Sequence, residues 1–557
     1  MWQWPLERGR QCQLRFGIGV QIEQELQKAG ENGMSRRESP LKKRRRRSII
    51  AFELIQLDRS AAEPLHEQLY RQIRDELKSG TFTDAASRLP SSRALAVDLG
   101  ISRLTVKLAL SKLHAEGYLR SKARSGTFVA DPLPETFLSA GRFARRPAGR
   151  IRGSEPKAYR PVEHRVRISD RVRAIPDQRV GNQFDLGALG AGPGVSLVPG
   201  LPAVDEFPID IWERLRSQVL AQKGTHLLRH ASSRGDVDLR KAIATYLCDF
   251  RGARCHPDQI LIVGGMQQAM LVSAMALLDP GESVWIEDPG FHQARRVFIL
   301  AGAKVVPKPL DHEGIVITRL PKEKRPKIIH VTPSHQYPLG VTMSFERRTA
   351  LLDFAQAHDA FIFEDDFYAE FRFTGPPLPS LQGIDNFGRV IYAGTMSKVL
   401  YPSLRLGYVV APEALVDPLV KIRSTMDQHS SAIDQATLAR FITEGFFLSH
   451  LKRMRKVYAE RREVFIKQFN DVLGDRFTLQ VPDGGLNMVA WLKRQEDFAA
   501  ISRVTLEIGV KPSPLSFYCI RATPKPAFVF GFAGWTPAQI RESLVKLASS
   551  LQRAGIS

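Results

Sequence analysis

The chain has 557 residues, 43% of them hydrophobic, which is enough for more than one buried core and too long for one ordinary domain. Eighty Lys and Arg against 58 Asp and Glu leave a formal charge of +22, a balance that favours a polyanionic partner, nucleic acid or an anionic membrane surface. Four cysteines without a CxxC pair exclude a zinc ribbon and a disulfide framework, and no stretch reaches the roughly 20 apolar residues that cross a bilayer, so a soluble cytoplasmic protein without membrane contact is expected.

The positive charge is uneven. Residues 1–50 hold twelve basic residues against five acidic ones and close on the run Lys42 to Arg47. They show no sustained periodicity, so residues 1–57 are expected to form a disordered basic extension, in which Met1 and Met34 are both candidate starts.

Residues 58–130 read as one compact unit. Leu65, Leu69, Ile73 and Leu77 recur at helical spacing, and Gly80 lies where that helix should stop. In "LPSSRALAVDLGISRLTVKLALSKLHAEGYL" (89–119), Ser92 is expected to cap a short helix and Gly100 to make the turn. Ser102 should then cap a second helix over 102–116. "YLRSKARSGTFVA" (118–130) reads as two strands around a basic tip, a wing.

The second helix should enter the major groove by its leading end, which carries Arg103, Leu104, Thr105 and Lys107. Arg93 is placed to reach phosphate or a guanine edge, and Lys122, Arg124 and Thr127 in the wing suit contacts to the DNA backbone. The stretch 63–130 resembles the GntR-type winged helix, through "LPSSRALAVDLGISRLTV" and "EGYLRSKARSGTFV". The resemblance implies double-stranded operator DNA as partner and puts Arg93, Arg103, Thr105 and Lys107 on DNA-contacting positions. Leu104 departs from that family's pattern, which is usually polar there, and Lys107 replaces a usual Arg.

Residues 131–183 are rich in Pro and Arg, with twelve basic residues against six acidic ones, and read as a linker. From 184 to 557, short apolar strands alternate with amphipathic helices, as in "ILIV" (260–263), "SVWIED" (283–288), "KIIHVTP" (327–333), "AFIFEDD" (360–366) and "VIYAG" (390–394). That alternation predicts a largely parallel sheet with helices on both faces.

Four segments of this region fit one cofactor. Lys398 in "TMSKVLYPSLRLG" supplies an amine able to form a Schiff base with an aldehyde, and Thr395, Ser397 and Arg405 suit a phosphate. Asp365 ends an apolar strand, where a carboxylate can keep a pyridine nitrogen protonated. Gly265, Met266 and Gln267 open a helix after a glycine turn, a place for phosphate, and Phe291 offers a stacking face. A surface lysine, a helix cap and a core aromatic are the bland alternatives for these residues taken singly.

Order and spacing from 184 onward resemble fold-type I aminotransferases, and with the winged helix in front the chain is identified as a member of the MocR branch of GntR regulators. The resemblance implies an α/β aminotransferase-like domain binding pyridoxal phosphate on Lys398, with Asp365 at the ring nitrogen. It also implies a head-to-tail homodimer. Phe367 stands where the family commonly has Tyr, and Tyr368, three residues past Asp365, has the spacing at which aminotransferases reach the ring hydroxyl. Two departures bear on activity. The C-terminal segment "PAFVFGFAGW" (526–535) lacks the Arg that clamps substrate carboxylates in such enzymes, leaving Arg521 as the nearest substitute. His292 and Gln293 follow Phe291 where a GABA-responsive family member carries an Arg, so GABA is not the expected effector. The leading expectation is a transcription regulator that senses a small amine, an amino acid or the cofactor itself. A working aminotransferase with an accessory DNA-binding domain is the alternative, and a DNA-binding architectural protein with a relic domain is a third reading.

Overall fold

The computed structural model describes residues 55–79, 88–122, 126–130, 133–134, 168–176, 194–317, 325–375 and 378–556. The expected disordered extension lies outside these residues up to position 54, as do Gly80, Arg124 and most of the expected linker. The chain divides into two compact units, within 1–162 and 163–557.

In the first unit, α1 (Leu65–Lys78), α2 (Ser92–Asp98) and α3 (Arg103–Ala115) precede β1 (Leu119–Lys122) and β2 (Gly126–Val129). Leu69, Ile73 and Leu77 of α1 meet Leu95 of α2 and Val106, Ala109 and Leu113 of α3 in one core. Ile55 and Leu57, ahead of the expected boundary at 58, also pack against it. The cap of α2 is Ser91, not Ser92: the Ser91 hydroxyl accepts from the Ala94 amide at 3.2 Å, and Ser92 is the first helical residue. Ser102 caps α3 as expected, accepting from the Thr105 amide at 3.0 Å. Lys112 bridges to Glu67 at 2.7 Å, tying α3 to α1. β1 and β2 pair antiparallel from Leu119–Val129 to Lys122–Gly126. Gly126 has φ +107°, and a Cβ there would lie 2.8 Å from the Arg88 Nε, so the wing needs glycine at this step.

The second unit is built on β3 (Ile260–Val263), β4 (Ser283–Asp288), β5 (Lys304–Asp311), β6 (Gly314–Ile315), β7 (Ile328–Val331), β8 (Phe361–Asp365), β9 (Val390–Thr395) and β10 (Gly407–Val410). They form one sheet in the order β3-β10-β9-β8-β7-β4-β5-β6. The pairs from β5 through β9 are parallel, whereas β10 runs against both β9 and β3, and β6 against β5. The strand alternation therefore predicted the parallel centre and not the reversed strand β10. Side chains alternate across the sheet with period two: Leu261 and Val263 join one core cluster, Ile260 and Ile262 the other. The first cluster is covered by the helices Met266–Leu277, His292–Leu300 and Glu413–Met426, and the second by Ile209–Lys223, Val237–Arg251 and Ala432–Thr443.

A smaller antiparallel sheet follows, made of β11 (Phe477–Gln480), β12 (Asn487–Leu492), β13 (Ser513–Pro514) and β14 (Ala527–Gly531) in the order β11-β12-β14-β13. The long helix Phe446–Leu473 and the last helix Pro537–Arg553 cover it through Phe465, Phe469, Leu544 and Leu547. Within the expected linker, Asp170–Ala174 is a short helix whose Arg171 lies against Gly302 of the second unit.

Candidate cofactor cavity and DNA-binding surface

A cavity of about 700 Å³ opens at the carboxyl ends of β8 and β9, where open α/β sheets receive ligands. Met266, Gln267, Phe291, Asp365, Tyr368, Thr395, Ser397, Lys398 and Arg405 all line it. Gly265, the remaining expected contact, stands at the N-terminus of Met266–Leu277 with φ +113°. That backbone conformation is what calls for glycine; a Cβ would make only ordinary contact with the Arg405 guanidinium, at 3.5 Å beside the helix's amide end. Arg405 itself has φ +50°, a left-handed conformation uncommon for a residue with a Cβ and frequent at functional sites.

Asp365, the last residue of β8, and Asp366, the next, part company because successive strand residues face opposite sides. Asp365 turns to the cavity, buried, with Oδ2 3.5 Å from Nε2 of His330. The His330 ring stacks on Phe363 at 5.7 Å. Burial raises the Asp365 carboxyl above its ordinary range, with His330 opposing. Asp366 instead pairs with Arg251 at 2.7 Å and accepts from the Tyr392 hydroxyl at 2.6 Å, away from the cavity.

Lys398 follows the end of β9. Its Nζ donates to the carbonyl of Gly200 at 2.7 Å. Burial lowers its pKa to about 8, with the Asp365 charge opposing, so about a tenth to a fifth of the amine is neutral and nucleophilic near physiological pH, far more than for an ordinary lysine. Tyr368 is buried beside it, near Gly200 and Asn487, and burial pushes its phenol up. Phe291 caps the helix His292–Leu300 and meets the Tyr337 ring edge-on at 6.0 Å.

The residues fit pyridoxal phosphate on the structure's own evidence. Asp365 Oδ1 and Ser397 Oγ, in the cavity wall, are buried polar atoms with no partner among the described residues, a costly state that a polar ligand relieves. Lys398, the amide end at Met266 and the Arg405 guanidinium face the same space. When bound, the cofactor supplies a reactive carbonyl and an electron-withdrawing ring.

Sequence reasoning missed part of the wall. Gly200, Tyr337, Lys511, Phe517 and Tyr518 come from loops around the small sheet, and only the chain's return over the cavity brings them in, with Asn487 holding the Gly200 amide from behind the wall. The Tyr337 and Tyr518 hydroxyls stand 3.1 Å apart. Arg521, the expected substitute for a carboxylate clamp, does not line the cavity; its amide is held by Asp288 at 2.7 Å. The Asp288 carboxylate draws that segment's backbone, not its arginine, to the end of β4. His292 and Gln293 do line the cavity, and burial lowers the His292 imidazole to about 3, so it is neutral.

On the first unit, Arg93 in α2 and Arg103 and Lys107 in α3 are exposed. The Thr105 hydroxyl lies 2.8 Å from that of Ser102, within the helix cap. Thr127 is half-buried in β2, Lys122 ends β1, and Arg124 is outside the described residues.

A winged helix and a pyridoxal-phosphate-binding aminotransferase-like domain on one chain define a class: transcription regulators that carry an enzyme fold. Residues 65–129 match the family described as bacterial regulatory proteins, gntR family, and residues 203–547 match aminotransferase class I and II. The "Probable rhizopine catabolism regulatory protein MocR" of Rhizobium meliloti is 38% identical over 89% of this chain and 96% of its own length. The pyridoxine biosynthesis transcriptional regulator PdxR of Corynebacterium glutamicum is 29% identical over 87% and 95%. Among solved structures, the multiple substrate aminotransferase of Thermococcus profundus covers 69% of this chain and 97% of its own, with a TM-score of 0.62 and 26% identity. The chain belongs to the MocR subfamily of GntR-type transcription regulators.

Proposed function

We propose that the chain is a ligand-gated DNA-binding regulator whose cavity over Lys398 admits a small primary amine, an amino acid or the cofactor itself. It acts in the cytoplasm as a homodimer, head to tail as the family resemblance implies. Winged-helix readers commonly bind paired half-sites, and two copies supply two recognition helices. The observation that carries the sensor reading is the cavity's cation set. Arg405 is its one arginine among the described residues, beside Lys398 and Lys511. With Arg405 at the phosphate, no bidentate guanidinium remains to clamp a substrate carboxylate, so binding is favoured over rapid turnover.

In this reading Gly265, Met266, Gln267, Thr395, Ser397 and Arg405 hold phosphate. Asp365 holds the ring nitrogen's proton, Tyr368 the ring hydroxyl, and Phe291 covers the ring. Lys398 is the attachment point, which an entering amine competes for. A ligand shifts DNA affinity only if it binds the two states of the protein unequally. The test is fluorescence anisotropy of the full chain with pyridoxal phosphate on selected operator duplexes, with a panel of amines added, beside an amino-transfer assay. An amine that changes the DNA Kd without turnover supports the reading. Turnover with unchanged DNA affinity makes the chain an aminotransferase.

A further inference from the structure

The recognition helix α3 carries an apolar stripe where a solvated helix should be polar. Leu104 is 67% exposed and Leu108 48% exposed. At 3.6 residues per turn the two lie about 40° apart, nearly opposite the buried Val106, Ala109 and Leu113. Arg103, Lys107 and Ser111 share the exposed arc. The stripe is therefore the outermost ridge of the helix, flanked on one side by two cations. Nothing in the first unit covers it among the described residues.

Two leucines on the crest of a cationic helix have one fitting apolar partner in duplex DNA. The floor of the major groove is polar except for the 5-methyl group of thymine, which apolar side chains contact. The leading turns of a recognition helix face base edges, and Leu104 and Leu108 are the second and sixth residues of α3. The flanking Arg103 and Lys107 match a phosphate-lined groove in charge, which a purely apolar protein partner would not.

We infer that Leu104 and Leu108 are specificity-determining residues that read thymine methyl groups in the major groove, so that each operator half-site contains T·A pairs facing this stripe. The pairing adds sequence preference to the sequence-blind attraction of the cations.

The test uses the full chain with pyridoxal phosphate. Random duplexes are selected for binding, and each thymidine of the selected half-site is then replaced singly by deoxyuridine, which removes only the methyl group. At one or two positions the Kd should rise about fourfold, the worth of one buried methyl-sized group. Leu104→Ala or Leu108→Ala should abolish that sensitivity, while Leu104→Met, still apolar, should retain it. Because both leucines are exposed, the variants should melt with the unaltered protein. Selected sites without fixed T·A pairs, tolerance of deoxyuridine everywhere within twofold, or an equal deoxyuridine penalty in the alanine variants each overturns the proposal. So does loss of self-association in those variants with an unchanged deoxyuridine ratio, which makes the stripe an interface between copies. If alanine weakens binding beyond measurement, the unaltered protein's response to deoxyuridine decides alone.

Discussion

Lys398 donates to the carbonyl oxygen of Gly200 over 2.7 Å, joining two positions 198 residues apart. The bond holds the part-buried amine on the cavity wall. The same Gly200 donates its amide to Asn487 Oδ1 at 2.8 Å, so the loop before the helix Ile209–Lys223 ties the reactive lysine to the small sheet. That enclosure lowers the Lys398 pKa to about 8.

The rate at which the cofactor-free protein captures pyridoxal phosphate should therefore follow the neutral fraction of this amine. It should climb through pH 7 and 8 and level off above about 9, because the uncharged lysine is the nucleophile. Absorbance growth after mixing measures it. A midpoint near the ordinary lysine value would mean that the amine is not enclosed, and Lys398→Ala should show no covalent capture under borohydride.

Asp365→Asn should act in opposite directions on stability and on cofactor binding. Burial raises the Asp365 carboxyl, so between the unfolded and folded pKa values the folded protein binds the extra proton. The stability of the cofactor-free chain thus falls as pH rises through that window, and the charge is a net cost above it. Asparagine removes this cost, so cofactor-free protein at neutral pH should melt higher. The cofactor should bind about 1.5–3 kcal/mol more weakly, the range for a lost hydrogen bond to a charged group. Melting curves with and without pyridoxal phosphate separate the two effects, and a variant weaker in both would make Asp365 structural.

Much of this was legible in the sequence because it is local. The apolar runs at 260–263 and 283–288 are the strands β3 and β4 themselves, and Ser102 announces its helix through a cap three residues long. Lys398, Asp365 and Phe291 each sit at a strand's end, a position that pattern alone locates. Gly200 and Lys511 belong to no local pattern; they reach the cavity through tertiary contacts, Gly200 held by Asn487 from 287 residues away. The one-residue error at Ser91 has a local cause, since two adjacent serines compete for one cap and only backbone conformation chooses. Arg521 misled because proximity in sequence says nothing about which way a side chain leaves a loop.

Asp366→Ala should unfold the second unit more readily by about 3–5 kcal/mol, since it strands the buried Arg251 guanidinium. The Tyr392 hydroxyl, at 2.6 Å, loses its acceptor as well. Urea titration followed by tryptophan fluorescence measures the loss. Pairing the change with Arg251→Met should recover part of it, because no uncompensated charge is then left. Equal losses in the single and double variants would show that the pair's charge is not what the interior fails to tolerate.

The last prediction concerns the wall that closes the cavity. The Asp288 carboxylate at the end of β4 accepts from three consecutive amides: Ile520 at 2.8 Å, Arg521 at 2.7 Å and Ala522 at 2.9 Å. Just before them, the Tyr518 carbonyl accepts from the Gly290 amide at 2.9 Å. One carboxylate thus pins the segment whose Phe517 and Tyr518 rings wall the cavity, packed against His292 at 4.6 and 5.8 Å. Three hydrogen bonds to one anion are strong, and removing its charge weakens all three at once. Asp288→Asn keeps the shape but offers a single acceptor oxygen, so it should free at least one amide and weaken the rest, by about 1.5–3 kcal/mol in total. Hydrogen exchange at residues 520–522 should quicken by roughly ten- to hundredfold, with exchange in β8 and β9 unchanged. Because the aromatic wall is loosened while Lys398 and Arg405 are untouched, pyridoxal phosphate should still attach, and any amine effector found should bind more weakly. Unchanged exchange at 520–522 would show that neighbouring packing, not Asp288, holds the wall in place.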